Sequence, residues 1–258
     1  MNETCLKIRA DILSIAHASG RGHIPTCFSI VESLYAVYST MNHRPTEPQW
    51  PGRDLFVLSK GHAALGYYCN LAAFGYFPAE QVRAFGDADS LFGCHGDRFK
   101  VPGVEASTGS LGHGVGIAVG MALAGQIQRS GRRVITLVGD GEANEGTVWE
   151  AVLVAVDQKL SRFTLLYDHN NSQRRCLQIP NPGERFRAFG CEVTEVDGHD
   201  LAQLTDALQR TTDRPHVIVA NTIKGFGCQT LCDDVFAWHR RSPDAATLAR
   251  LMEELHAG

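Results

Sequence analysis

Five short apolar runs constrain this chain more than any other feature. They are DLFVLS (54–59), RRVITLVG (132–139), RFTLLYDH (162–169), CEVTEV (191–196) and RPHVIVAN (214–221). Most are separated by segments of helical spacing: GHAALGYYCNLAAFGY and 111–128, then 143–158, and 200–210 between the last two, while residues 170–190 lie between the third and fourth. Strands joined only through helix-length connections pair in parallel, and a parallel sheet is covered by helices on both faces. The central runs are apolar at nearly every position, which suits strands buried on two sides. Further helical spacing occurs at 3–18, 27–40 and 244–256. The prediction is an α/β fold, a doubly wound, mostly parallel sheet with helices on both faces. No repeat or low-complexity linker divides the chain, so one domain is expected over 1–258.

Composition narrows the class. Hydrophobic residues make up 44% of the 258 and charged residues 20%, as in ordinary globular proteins. A net charge of −4 makes no case for nucleic acid or an anionic membrane as partner. No run reaches the roughly 18 apolar residues of a spanning helix. The first twenty residues carry acids and helical spacing rather than a secretory signal. The eight cysteines include no C-x-x-C pair, so they read as free thiols in a reducing, cytoplasmic setting.

Ligands of such sheets bind beyond the carboxyl ends of the strands. Those ends carry Lys60-Gly61-His62, Gly139-Asp140-Gly141-Glu142, Asp168-His169-Asn170-Asn171 and Thr222-Ile223-Lys224-Gly225. A carboxylate at Asp140 and an amide oxygen at Asn170, on neighbouring strand ends, are hard oxygen ligands suited to Mg²⁺, with Ca²⁺ or Mn²⁺ as substitutes. Gly139 and Gly141 would let the backbone approach a phosphate, and the next helix adds N–H groups. The plainer reading is that Asp140 and Asn144 cap the helix at 143–158. A long irregular stretch, 86–110, is rich in glycine and polar residues, which inside a compact domain points to function.

GDGEANEGTVWEA (139–151) followed by Asn170-Asn171 resembles the thiamine-diphosphate enzymes, and other segments resemble the transketolase group among them. GRGHIP (20–25), LSKGHAALGYY (58–68), STGSLGHGVGIAVGMALA (107–124) and ANTIKGFG with Trp238-His239 are similar to that family's segments in the same order. The resemblance runs over nearly the whole chain but covers only the diphosphate-binding half of a full transketolase. It implies a split enzyme, whose separate pyrimidine-binding subunit, similar to the C-terminal half, completes the active site in an α2β2 assembly.

The resemblance also implies roles. Asp140, Asn170 and the carbonyl of Ser172 would hold Mg²⁺. Gly139, Gly141 and Glu142 would lie against the diphosphate, Gly109 and Leu111 would border the thiazole, and Glu145 would face the partner. His23, His95 and His239 would line the substrate channel, and His62 would sit near the diphosphate or thiazolium end. His113 stands where the family usually has glutamine and is expected near the diphosphate. His17, His43, His199, His216 and His256 read as ordinary, and His169 receives no role. The chain departs from the family at Ile24-Pro25-Thr26, at Cys94-His95-Gly96-Asp97, and after Asn171. It also carries two arginine pairs, Arg174/Arg175 and Arg240/Arg241, able to bind an anion in two-pronged fashion.

The implied activity is transfer of a two-carbon ketol unit from a sugar donor to an aldehyde acceptor, with thiamine diphosphate and Mg²⁺. A phosphorylated or nucleotide-linked sugar would suit the arginines. Two alternatives stand beside it: another thiamine-diphosphate carboligase or 2-oxo acid decarboxylase subunit, and a non-catalytic cofactor-binding subunit that stabilises a partner. A plain dinucleotide-binding domain is disfavoured because no G-x-G-x-x-G follows the first strand.

Overall fold

A computed structural model describes residues 2–175 and 177–257, with Arg175 described by its backbone alone. Cys176, read above as a free thiol, and the Arg175 side chain, read as half of an anion-binding pair, lie outside the described residues. The strands are β1 (Leu55–Leu58), β2 (Val134–Gly139), β3 (Phe163–His169), β4 (Glu192–Asp197) and β5 (His216–Asn221). They form one sheet in the order β1-β2-β3-β5-β4, and every neighbouring pair is parallel. β1 and β2 are buried at every position, whereas the edge strand β4 buries only Val196 along its length.

The helices are α1 (Glu3–Ser19), α2 (Ile24–Phe28), α3 (Val31–Thr40), α4 (Ala64–Ala73), α5 (His113–Ile127), α6 (Gly146–Asp157), α7 (Pro182–Ala188), α8 (Leu201–Gln209), α9 (Gln229–Asp233) and α10 (Ala245–Ala257). The chain steps in one direction from β1 to β2 to β3 and on to β4, then returns to β5. Right-handed crossovers place the helix of a returning step on the opposite face from the others. The two cores follow that rule. Val134, Val138 and Leu165 pack with Val115, Val148 and Phe186 of α5, α6 and α7. The alternate strand residues Ile135, Leu137 and Leu166 pack with Leu204 and Leu208 of α8 and with the N-terminal helices.

Local departures from the predicted boundaries have local causes. The helix expected over 27–40 is two, because Ser29 ends α2 and commits its hydroxyl to Asp168, 2.9 Å away. The helix expected from 143 begins at Gly146, after a single 3₁₀ turn over Glu142–Asn144. Neither Asp140 nor Asn144 caps it. Glu145 holds the N-cap position without a side-chain bond, and Asn144 donates to the Gly141 carbonyl. Helix α5 begins only after Gly112, whose φ of +80° sets the left-handed turn that aims the helix. The stretch 86–110 is irregular, as predicted.

Gly112 also lies against α6, where a Cβ would press into Thr147 Oγ1 and stand 2.7 Å from Glu145 Cβ. Gly112→Ala is expected to cost about 2 kcal/mol or more in urea unfolding, through the left-handed strain and the clash together. Gly116→Ala, in open space on the same helix, is expected to be neutral or slightly stabilising.

Candidate active site

The carboxyl ends of β1, β2, β3 and β5 converge on the carboxylate of Asp168. It is buried, and it accepts hydrogen bonds from Lys60 Nζ after β1, Ser29 Oγ, Asn170 Nδ2 and Thr222 Oγ1 after β5. Lys60 is spent in the same place, donating also to the Thr26 carbonyl at 3.1 Å and to Thr26 Oγ1 at 2.9 Å. Asp168 therefore fixes the Asn170 amide, leaving Asn170 Oδ1 turned toward the N–H and hydroxyl of Ser172.

Asp140 lies on the neighbouring strand end and is fully buried. Its Oδ1 accepts the Gly141 N–H at 2.6 Å, while its Oδ2 has no hydrogen-bond partner among the described residues. Burial first, and the charge of Asp168 second, push its carboxyl up to about 6. A buried carboxylate oxygen without a partner, with the fixed Asn170 amide on the neighbouring strand end, suits a bound cation. No group of three or more His, Cys, Asp or Glu suited to a metal occurs among the described residues. The donor set is therefore two hard side-chain oxygens plus backbone, which fits Mg²⁺ with bound phosphate and water rather than a softer metal.

The surrounding turn is braced from within. Glu142 is buried, and its Oε1 takes the Ser59 hydroxyl at 2.6 Å and the Gly112 N–H at 2.9 Å, its Oε2 the Gly139 N–H at 3.1 Å. Its carboxylate thus ties β1, β2 and the start of α5 together. A Cβ on Gly139 would meet Lys60 at 3.3 Å, whereas one on Gly141 would meet only Ser172 Cβ, at 3.8 Å. Gly141 leaves open space at the metal side. Gly109 abuts His95, with 3.2 Å between a Cβ there and His95 Cδ2. Leu111 is half-buried, and its carbonyl lies 3.1 Å from Nδ1 of the exposed His113 in the first turn of α5. Glu145 is exposed at the mouth of α6.

Two of the three histidines expected in the channel, His23 and His239, meet in one cluster with His62, expected near the diphosphate or thiazolium end. The ring of His23 lies 5.2 Å from that of His62 and 5.1 Å from that of His239, and His62 and His239 are 6.1 Å apart. His95 is close enough for its charge to act on His23. Burial, with the positive groups around it, lowers His23 to about 4, and burial with Lys60 lowers His62 to about 2. His239 is lowered by burial and by Lys224 and Arg240. The cluster is uncharged at neutral pH, so its rings can both donate and accept hydrogen bonds.

The strand-end survey reached Lys60, Asp168, Thr222 and Lys224 but assigned them no role. Lys224 is buried, donates to Ser172 Oγ at 2.8 Å, and is lowered to about 8 by burial and by Lys60. Its charge reaches Asp140 and all three clustered histidines, so the Asp140 turn and the imidazoles form one site. A short apolar strand ending in a charged residue was the available signal. Arg174 lies over the Phe236 ring at 4.9 Å, and Arg241 over Trp238 at 4.8 Å. Arg240 and Arg174 have no acidic partner among the described residues.

An α/β sheet with this carboxylate, amide and histidine edge defines a thiamine-diphosphate-binding protein, and residues 2–240 match the transketolase, thiamine diphosphate binding domain. The chain belongs to the transketolase family. It is 37% identical over 248 residues to an apulose-4-phosphate transketolase subunit of Actinobacillus succinogenes, covering 93% of this chain and 90% of that one. It is 39% identical over 217 residues to a 6-deoxy-6-sulfo-D-fructose transketolase subunit of a Clostridium species, covering 81% and 79%. The transketolase structure of Campylobacter jejuni superposes with a TM-score of 0.87 at 27% identity, over 99% of this chain but only 43% of that one. The chain thus spans less than half of that transketolase.

The lowered histidines carry a pH signature. A base whose folded value lies below its unfolded 6.5 contributes stability that is complete above about 6.5 and is lost as pH falls toward the folded value. From pH 8 to pH 5 the unfolded chain takes up a proton at His62 that the folded site refuses, costing up to roughly 2 kcal/mol. Urea unfolding at the two pH values should show the stability gap between His62→Gln and wild type moving toward the variant at pH 5. An unchanged gap would mean that the ring charges freely in the folded chain.

Proposed function

We propose that this chain is the diphosphate-binding subunit, one domain over 1–258, of a split cytoplasmic transketolase that moves a two-carbon ketol unit from a sugar donor to an aldehyde acceptor. The observation that carries the reading is the orphaned, buried Asp140 Oδ2 beside an Asn170 amide locked by Asp168. Asp140, Asn170 and the Ser172 carbonyl would hold Mg²⁺. Lys224 and the N–H groups around Gly139 and Gly141 would face the diphosphate, and Gly109, Leu111 and His113 would lie toward the rest of the cofactor. Thiamine diphosphate, when bound, supplies the carbon nucleophile that such a transfer needs. His62 would act near the cofactor. His23, His95 and His239 would donate hydrogen bonds to sugar hydroxyls and move protons at the oxygens of the donor and acceptor carbonyls, a task suited to neutral imidazole.

The partner would be a pyrimidine-binding subunit, in an α2β2 assembly, docked where Glu145 is exposed. Helix α5 is apolar on every side, and its outer face leaves Ile117 and Ile127 exposed beside Leu153 and Val154 of α6. An apolar patch of that kind marks a protein interface. Arg174 and Arg240, with no acidic partner among the described residues, support a substrate bearing a phosphate or similar anion. The two related subunits are named for a phosphorylated and a sulfonated sugar.

The decisive measurement is titration of thiamine diphosphate into the chain, alone and mixed with a polypeptide resembling the C-terminal half of a transketolase. Tight, Mg²⁺-dependent binding is expected only in the mixture. Asp140→Ala should weaken it by more than the roughly 10–100-fold that loss of an outer-shell group costs, and wild-type binding by that variant would remove the metal assignment. Arg240→Gln should raise KM for a phosphorylated sugar while leaving KM for the unphosphorylated sugar in place. Equal effects on both would discard the anion role.

A further inference from the structure

The loop 222–226 meets the site at three points. Thr222 Oγ1 donates to Asp168, Lys224 Nζ donates to Ser172 Oγ, and the Gly225 N–H donates to the Pro25 carbonyl at 3.1 Å, two residues beyond His23. Between them Ile223 has a side chain 52% exposed, so burial does not anchor it. Its backbone N–H donates instead to His199 Nε2, at 2.9 Å. A ring that accepts at Nε2 carries its proton on Nδ1, and His199 Nδ1 lies 3.0 Å from Glu32 Oε2.

The surroundings fix that ring. It stacks on Phe226 with centroids 3.7 Å apart and planes 12° from parallel. Arg9 from α1 grips Glu32 of α3 with both terminal nitrogens, at 2.6 and 2.7 Å, and holds the Phe226 carbonyl at 3.1 Å. Burial would raise the Glu32 carboxyl, but the hydrogen bonds from His199 and Arg9 and the charge of Arg9 outweigh it and lower it. Asp197, at the end of β4, accepts the His199 backbone N–H at 2.9 Å, and Asp200 caps the start of α8. The ring borders a surface groove shared with Asn2, Asp200 and Asn221, so it is within reach of solvent protons.

We propose that His199 is a positioning residue which, only as the neutral Nδ1–H tautomer, holds the loop 222–226 and with it Thr222 and Lys224 at the site. A protonated ring would turn an N–H toward the Ile223 N–H, two donors facing each other with no acceptor between them. Glu32, Asp197 and Asp200 lie near the ring and Arg9 already pairs both Glu32 oxygens, but none of this removes the clash of donors at Ile223. The loop must then let go of the ring. This clamp stands on its own contacts, while its consequence for thiamine diphosphate rests on the function proposed above.

Hydrogen exchange at single amides, measured by NMR on the whole chain and corrected for the intrinsic rate at each pH, tests it. The Ile223 amide should be protected at pH 8 and by pH 5 lose roughly tenfold more protection than Val219 in β5, which reports the change in global stability. His199→Phe keeps the stacking but not the acceptor, and should expose Ile223 at pH 8. His199→Gln sets an amide oxygen near the place of Nε2 and cannot titrate, so it should restore protection at both pH values. Wild-type protection of Ile223 in His199→Phe would overturn the proposal, as would a pH dependence that survives in His199→Gln. Adding thiamine diphosphate with Mg²⁺ to the chain mixed with the polypeptide resembling the C-terminal half of a transketolase separates the two readings. Further protection of 222–226 in wild type supports both, and His199-dependent protection that the cofactor leaves unmoved keeps the clamp and tells against the cofactor assignment.

Discussion

One buried carboxylate organises the catalytic edge. Asp168 accepts from a lysine after β1, a serine ending α2, the amide of Asn170 and a threonine after β5. A buried charge survives only when it is paired and its lone pairs are filled, and removing one partner leaves the rest exposed to the full desolvation cost. The ends of separate elements are therefore locked in register by a single group. The amide at Asn170 cannot turn without breaking its bond to Asp168, and that holds its Oδ1 toward Ser172.

Positive charge follows from the same arrangement. Lys60 is satisfied by Asp168 and Thr26, and Lys224 by Ser172, so both ammonium groups sit within the site rather than on its rim. Their field, added to burial, keeps the imidazoles of His23, His62 and His239 uncharged. It also favours the ionised form of Asp140, although burial and Asp168 prevail there. Acid and base tuning at this edge is a property of the shared basin, not of any one histidine.

The sheet was legible in the sequence because its strands other than β4 are largely apolar and its connections are helix-long. Parallel pairing and two-sided burial follow from those facts alone. That Asp140 and Asn170 follow the same end of adjacent strands was legible from the parallel strand pattern. The contacts that finish the site were not. Ser29 and Asp168 are 139 residues apart and Lys60 and Asp168 are 108, and no local pattern encodes either pair. Ser29 splits a helix that reads as continuous for the same reason. Glu142 reads from the resemblance as a diphosphate contact, and only the approach of Ser59 and the α5 start shows that it is an internal tie. His199 likewise reads as an ordinary histidine until Glu32 and Ile223 are brought to its two nitrogens.

Helix α5 has no wet side of its own. Its inner residues pack on the sheet, and its outer face ends in Ile127, 73% exposed. Such a helix is comfortable only when something covers it. If the cover is a separate polypeptide, the ratio in which the two chains are made becomes a matter of solubility as much as of turnover, since any surplus of this chain circulates with its adhesive side bare.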